Sequence, residues 1–567
     1  MNGLLLTSNQ DIEILNNNNN LTGIACFYTI IQMNESIELD YFFESCMDNI
    51  DDSLVGELAA NWYRDNIGRD VVSKHEVMLG AVLQTHLTIK LSNVVRYYFA
   101  FKQYLDKYKK LIVSEKIPED LNLVAQLFAN KIDFFHSDNS HELHTSEATE
   151  VKIEPPPVHK YFSKPLRFFQ NFITKYLCNK VLVVNDWTFK KVENPDCLNI
   201  NKFNPLHTFC LTKSEKYLEQ AKINFQKELD FELIRNNIYR VLGAFNFNNE
   251  VENDLATLCI YVIDKEYEAS RDNLIRTYCS YREMFSYYSP SMIIVPGSAH
   301  SFYQTIYGIA KSKKIPTLMI QDGYNFYFDK YHFPKDKNGK VQMFDYCAVM
   351  GSDVDRVYKN VFHGLPIKTL KISPPIISIH KSSDLRIERN KAIIMFPHGM
   401  IYKPSCMDDQ RYKYVFEVIE VLISLGFLEI QIKIKDGGSQ EGRHTELKFM
   451  KYLIDKFNHS NVEFIFGELF EYLPDSRIIV GYLGTAIIES VHAKVPFYVY
   501  EPKTLGMSDD FIRNAVILNE NQISRSVTDL RSAIINKEYI ELDEDDIYDG
   551  IHLQNIDYLK IIKDFRV

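Results

Sequence analysis

Three short stretches of this chain combine residue types that do chemistry. In VGYLGTAIIESVHAKVPFYVY (480–500), Gly484 and Thr485 precede a helical pattern and Glu489 follows four residues after Thr485. Glycine lets a ligand approach the backbone, and a threonine hydroxyl either binds phosphate oxygen or caps the helix. Free N–H groups at a helix start attract anions. A carboxylate four residues on shares the helix face and suits ribose hydroxyls. An ordinary capped helix accounts for the same residues. In IPTLMIQDGYN, Asp322 ends a strand and is placed as a general base towards an acceptor hydroxyl. An Asp-Gly turn explains it equally. In MFPHGMIYKPS (395–405), His398, Lys403 and Ser405 are candidate contacts for pyrophosphate or carboxylate. Lys435 closes the strand EIQIKIK, after Lys433 and before Gly437, Gly438 and Gly442, and could supply positive charge. His300, in PGSAHS ahead of a helix, is a candidate acid, base or phosphate ligand. A structural role fits each histidine as well.

Other motifs carry less. Asp353-Val354-Asp355 is a D-x-D, but it follows Ser352 as a helix begins, and acids in a first turn are ordinary capping chemistry. His136, His141 and His144 lie with Asp138 and Glu142 in a polar stretch that reads as a solvated loop. Gly437 to His444 misses the P-loop because it lacks that motif's Lys and Ser/Thr. The chain has no G-x-S-x-G, H-E-x-x-H or G-x-G-x-x-G, which argues against the hydrolase elbow, the zinc protease and dinucleotide oxidoreductases. Nine irregularly spaced cysteines without a C-x-x-C pair read as reduced thiols. Neither a metal nor a cofactor is expected.

The elements that must position these residues alternate between strand and helix. Strand-like runs at Leu4–Thr7, 111–115, 132–137 and 180–186, two strands within 291–325, one in FDYCAVM (344–350) and one in 366–378 that runs into a proline-marked hinge, separated by helical patterns, form a first α/β half. Runs at 390–399, 429–435 and 462–467 and the strand–turn–helix–strand stretch 477–502 form a second. The expectation is two facing, doubly wound Rossmann-like domains with a helix-rich N-terminal elaboration. The first, acceptor-side domain spans 1–380, with a loop near 136–157. The second spans 381–540, and a terminal helix in 541–567 packs back on the first. Open parallel sheets bind ligands at the carboxyl ends of their strands, so a cleft between the halves is the natural site.

Composition narrows the function classes. With 46% apolar and 25% charged residues the chain can bury a large core. The 64 basic against 75 acidic residues give −11, which argues against a general nucleic-acid binder. Glycine is scarce, 22 in 567, which excludes collagen-like and linker-rich classes. The start MNGLLLTSNQ lacks a basic region and no apolar run approaches the ~20 residues of a membrane span, so a cytoplasmic protein, at most peripheral at the inner membrane face, is expected.

The G-T-A-x-x-E turn-helix of Gly484, Thr485 and Glu489, followed by Lys494-Val495-Pro496, resembles the nucleotide-sugar half of GT-B glycosyltransferases of bacterial capsular and lipopolysaccharide biosynthesis. Gln321-Asp322-Gly323 is similar to that family's Q-H-G, with Asp in place of His, and the strand ending at Lys435 lacks its K-x-H-P histidine. The resemblance covers about 290–510. It implies a metal-independent transferase that binds the donor through His398, Lys403, Lys435, Gly484, Thr485 and Glu489, with Asp322 and His300 in the chemistry. It also implies a glycan or glycolipid acceptor and, by analogy, a CMP-linked nonulosonic acid donor. A CDP-glycerol-type polyol-phosphate transferase and a noncatalytic scaffold of polysaccharide assembly are the alternatives.

Overall fold

The computed structural model describes residues 2–7, 11–26, 34, 36–42, 52–70, 79–115, 117–135, 181–184, 200–203, 230–295, 301–321, 343–374, 390–397, 408–434, 453, 455–457, 461–502, 518, 520–543, 547–552 and 555–566. Within them the chain is α/β, built on three all-parallel sheets.

The N-terminal sheet comprises β1 (Asn2–Leu6), β2 (Leu21–Ala25), β3 (Asp40–Tyr41), β4 (Leu111–Ser114) and β5 (Ile132–Phe135), in the order β3-β2-β1-β4-β5. The N-terminal region realises the strands read at Leu4–Thr7, 111–115 and 132–137 as β1, β4 and β5. Its helices α1 (Asp11–Asn16), α2 (Asp52–Asn61), α3 (Leu79–Lys107) and α4 (Glu119–Leu127) accompany a Rossmann-like sheet of its own.

The middle sheet comprises β6 (Val181–Val184), β7 (Ile200–Phe203), β8 (Met292–Val295), β9 (Thr317–Ile320), β10 (Tyr346–Met350) and β11 (Lys368–Ile372). Its order, β11-β10-β9-β8-β6-β7, is the flavodoxin-like doubly wound arrangement with one more edge strand. Strands β6, β8, β9 and β10 are buried at every position, as expected of parallel strands covered on both faces. Around it lie α5 (Phe231–Gly243), the 40-residue α6 (Asn249–Tyr288), α7 (Ser301–Ser312) and α8 (Gly351–Val361). Asn248 opens α6 by accepting from Val251 N at 3.0 Å, and Ser289 ends it in the left-handed region at φ 45°.

The C-terminal sheet comprises β12 (Lys391–Met395), β13 (Glu429–Lys433), β14 (Asn461–Ile465), β15 (Ile478–Gly481), β16 (Phe497–Tyr500) and β17 (Ile523–Ser524), with α9 (Asp408–Ser424), α10 (Ala486–His492) and α11 (Val527–Asn536). Its order, β14-β13-β12-β15-β16-β17, is the dinucleotide-fold order 3-2-1-4-5-6. Strand alternation divides its side chains between two cores. Ile394, Val480, Tyr498 and Tyr500 pack with α9 and α11. Ile393, Ile479, Phe497 and Val499 join a larger core that includes α10 and the other two sheets. The middle and C-terminal sheets are thus a pair of Rossmann-like sheets, as the GT-B resemblance implies.

From α11 the chain returns to the middle sheet. Ile551 exchanges backbone hydrogen bonds with β11, to Lys371 O and from Ser373 N, each at 3.1 Å. Asp549 pairs with Lys371 at 2.5 Å, and Ile561 and Ile562 of α12 (Tyr558–Arg566) enter the larger core. Gly550 is required here: a Cβ would stand 2.2 Å from the Ile372 carbonyl carbon.

Candidate active site at the carboxyl edge of the C-terminal sheet

Strand order locates a ligand crevice before any side chain is considered. In a doubly wound sheet it lies beyond the carboxyl ends of the two strands where the order reverses. In the C-terminal sheet those strands are β12 and β15, paired through Ile393–Ile479 and Ile394–Val480. His398 and Lys403 follow β12 in sequence, and the turn after β15 carries Gly484 and Thr485. In the middle sheet the reversal falls between β6 and β8. His300 follows β8, and Asp322 follows β9 next door. His300, Asp322, His398, Lys403 and Lys435 themselves lie outside the described residues, as do the histidines at 136, 141 and 144. Gly484, Thr485 and Glu489 lie within them.

Two glycines of the β15 turn serve different ends. Gly481 closes β15 because a Cβ there would lie 2.5 Å from the Phe497 ring and 2.9 Å from the Met395 side chain. At Gly484 the nearest atom to a Cβ would be in the Tyr482 ring, at 3.5 Å, an ordinary contact. The fold demands glycine at 481 and has room for a methyl group at 484. Thr485 differs from one sequence expectation. It stands at the head of α10 with helical φ and ψ and makes no side-chain cap, so its exposed hydroxyl is not spent on the helix. The helix starts on backbone alone, with Ile487 N and Ile488 N bonding to Gly484 O and Thr485 O at 3.1 and 2.9 Å.

Glu489 is the most perturbed acid of this edge. Burial, and then repulsion from Glu468, raise its carboxyl from the ordinary 4.5 to about 7, against the opposing attraction of Lys433. Its Oε2 is buried without a hydrogen-bond partner. A buried acceptor left open carries a desolvation cost that a donor from outside, water or ligand, would offset. Lys433, the last residue of β13, is 5% exposed and donates to Ile434 O at 2.7 Å. It is a buried cation that acts on Glu489 from a strand end. Sequence reasoning passed over it in favour of Lys435, because alternation cannot show which lysine turns inward on a strand buried on both faces.

Glu501 went unrecognised in the sequence. It follows β16, is 0% exposed, and accepts from Leu483 N at 2.8 Å through Oε1. No local signal marks it, since an acidic residue after a strand reads as the start of a solvated loop.

On the middle sheet, Gln321 ends β9. It is 1% exposed, accepts from Met350 N at 3.0 Å through Oε1, and leaves Nε2 buried without a partner. The D-x-D acids are paired along α8: Asp353 with Arg356 at 2.7 Å and Asp355 with Lys359 at 2.5 Å, although Asp355 Oδ1 is buried without a partner. Ser352 lies inside α8 instead of capping it, and its hydroxyl donates to Asp549 at 2.6 Å. Among the described residues no cluster of three metal-ligating side chains occurs, and no helix is long and apolar enough to cross a membrane.

No protein-family model matches the chain, and no curated protein matches it in sequence. Among solved structures it is similar to UDP-GlcNAc 2-epimerase from Methanocaldococcus jannaschii in complex with UDP-GlcNAc and UDP, at TM-score 0.38 and 10% identity over 68% of this chain and 99% of that one. The epimerase from Neisseria meningitidis bound to UDP-GlcNAc gives TM-score 0.36 and 12% identity over 68% and 100%. Sucrose-phosphate synthase from Thermosynechococcus elongatus gives 0.29 and 12% over 47% and 69%. The fold assignment rests on the strand orders and pairings above.

Proposed function

We propose that the chain is a nucleotide-sugar-utilising enzyme of the glycosyltransferase type. The observation that carries this reading is the open Glu489 carboxyl beside the buried Lys433, at the edge where the strand order reverses. In this reading Glu489 receives the ribose hydroxyls, which supply the donors that Oε2 lacks. Gly484 gives the donor room, and Thr485 offers a free hydroxyl to phosphate. Lys433, with His398, Lys403 and Lys435 on neighbouring loops, balances the phosphate charge.

The middle sheet presents a glycan or glycolipid acceptor. The acceptor oxygen attacks the anomeric carbon, the bond from that carbon to phosphate oxygen breaks, and the nucleotide leaves with the electron pair. Asp322 takes the acceptor proton, and His300 flanks the same crevice. A CMP-linked nonulosonic acid is the donor suggested by analogy, since a single phosphate and a sugar carboxylate match several cationic side chains.

A thermal-shift comparison of CMP, CDP, UDP and GDP tests the reading. A nucleotide bound only by the folded chain stabilises it by about 2.7 kcal/mol at 100 times Kd. One nucleotide standing out names the donor class; no shift with any of the four overturns the proposal. Asp322→Ala is expected to abolish transfer with folding intact, and unchanged turnover removes Asp322 as the base. Product mass separates sugar transfer from polyol-phosphate transfer.

A further inference from the structure

We infer that Glu501 is a positioning residue for the donor site, which sets the 482–485 turn and through it the direction of Glu489. The inference rests on the nucleotide reading above. Leu483 lies in the turn between β15 and α10, where its N–H has no partner in strand or helix. Glu501 Oε1 accepts that N–H at 2.8 Å across 18 residues of sequence. The Leu483 side chain is itself buried at 1% exposure, so the turn is fixed from below on both counts.

Glu501 is anchored in turn. Its own N–H donates to Ser524 O at 2.9 Å at the edge of β17, and its carbonyl oxygen accepts from the Arg525 guanidinium. The fully buried Tyr414 of α9 lies beside it, and Glu501 is one of the charges that push the Tyr414 hydroxyl further up after burial itself. A continuous path therefore runs from β17 through Glu501 and Leu483 into α10, and α10 carries Glu489 one turn in. Placing a carboxyl in a dry interior is costly, and an apolar residue would fill the volume at lower cost. The geometry shows what the carboxyl does in return. It holds the Leu483 N–H inward and with it the turn that carries Gly484.

The test compares Glu501→Gln, Glu501→Ala and Glu501→Asp. Affinities for UDP and CMP are measured by titration calorimetry at pH 8, and amide exchange is followed at 482–486 and in β12 and β13. Glutamine keeps a carbonyl oxygen for Leu483 N and should bind nucleotide within about threefold of wild type. Alanine removes the acceptor and aspartate falls short of it. Both should lose about tenfold or more in affinity and speed exchange at Leu483, with β12 and β13 unchanged. The inference is overturned if alanine and aspartate bind as wild type. It is also overturned if affinity falls only in step with exchange across the whole sheet, the signature of general destabilisation. Should alanine fail to fold, the aspartate and glutamine pair decides alone. If wild type binds neither nucleotide while exchange at Leu483 still responds to Glu501→Asp, the bond stands but the nucleotide reading falls, and the donor-site role falls with it.

Discussion

Buried polar groups at the two edges of the parallel sheets contrast in how completely they are paired. At the amino edge of the middle sheet, Asp345 is 6% exposed and fully engaged. It accepts from Thr317 N and Thr317 Oγ1, each at 2.9 Å, pairs with Lys311, and its own N–H donates to Thr317 O at 3.0 Å. At the carboxyl edges, Gln321 Nε2 and Glu489 Oε2 are buried and open. A closed polar cluster ties β9 to β10 and needs nothing from outside. An open one carries a desolvation cost that a donor or acceptor from outside, water or ligand, would offset. Open atoms also occur away from these edges, Trp62 Nε1 and Asp355 Oδ1 among them, so Glu489 gains its functional meaning from its place where the strand order reverses.

The comparison breaks first if the closed cluster proves dispensable. Asp345→Ala leaves the Thr317 N–H and the Lys311 ammonium without their carboxylate. It should cost about 3 kcal/mol or more of stability, read as a lowered urea midpoint with unchanged slope. Nucleotide affinity, measured where the variant is folded, should stay at the wild-type value. Next in size is Gly481→Ala, whose new Cβ meets the Phe497 ring at 2.5 Å. Overpacking of this kind costs about 1–3 kcal/mol, and a stability equal to wild type would show that the β15 turn has slack.

Much of the scaffold was legible in the sequence. The strands read at 180–186, 390–399, 429–435 and 462–467 and within 291–325 and 477–502 are found there, because parallel strands buried on both faces are written in continuous Ile, Val and Phe. What escaped was short or polar. β3 and β17 are two residues each, and β2, LTGIA, opens with partly exposed Leu and Thr. In the N-terminal sheet β1, β4 and β5 are legible at Leu4–Thr7, 111–115 and 132–137, whereas β2 and β3 are not. At the site, Glu489 was legible because the motif carries it. Glu501 and Lys433 were not: each depends on a contact between segments distant in sequence, which the order of strands creates and no local pattern records.

Glu489 gives the open edge a pH signature. Its carboxyl is raised to about 7 mainly by burial, so the stability it contributes is full below the ordinary value near 4.5 and is lost as pH rises through 7. Groups facing it are Glu468, whose charge adds to the shift, and Lys433, which opposes it. Glu489→Gln is neutral throughout and should flatten the fall in urea midpoint between pH 4.5 and 8. Ribose hydroxyls donate to the ionised form, so wild-type nucleotide affinity should weaken below pH 7 by up to about tenfold per unit. Equal slopes in wild type and Glu489→Gln would show that the acid is not held as described.

The smallest effect on stability, and the sharpest on the comparison, belongs to Gly484→Ala. The new Cβ would stand 3.5 Å from the Tyr482 ring, an ordinary contact, and no atom of the described residues lies nearer. Stability should change by no more than about 0.5 kcal/mol. The methyl group would nevertheless occupy the space left for the donor and should weaken nucleotide binding by about fivefold, equivalent to about 1 kcal/mol. Set against Gly481→Ala, two identical substitutions three residues apart then separate: one lowers stability and the other affinity. If Gly484→Ala leaves affinity untouched, the open side of the turn is mere surface, and the donor must approach Glu489 from the β12 loop instead.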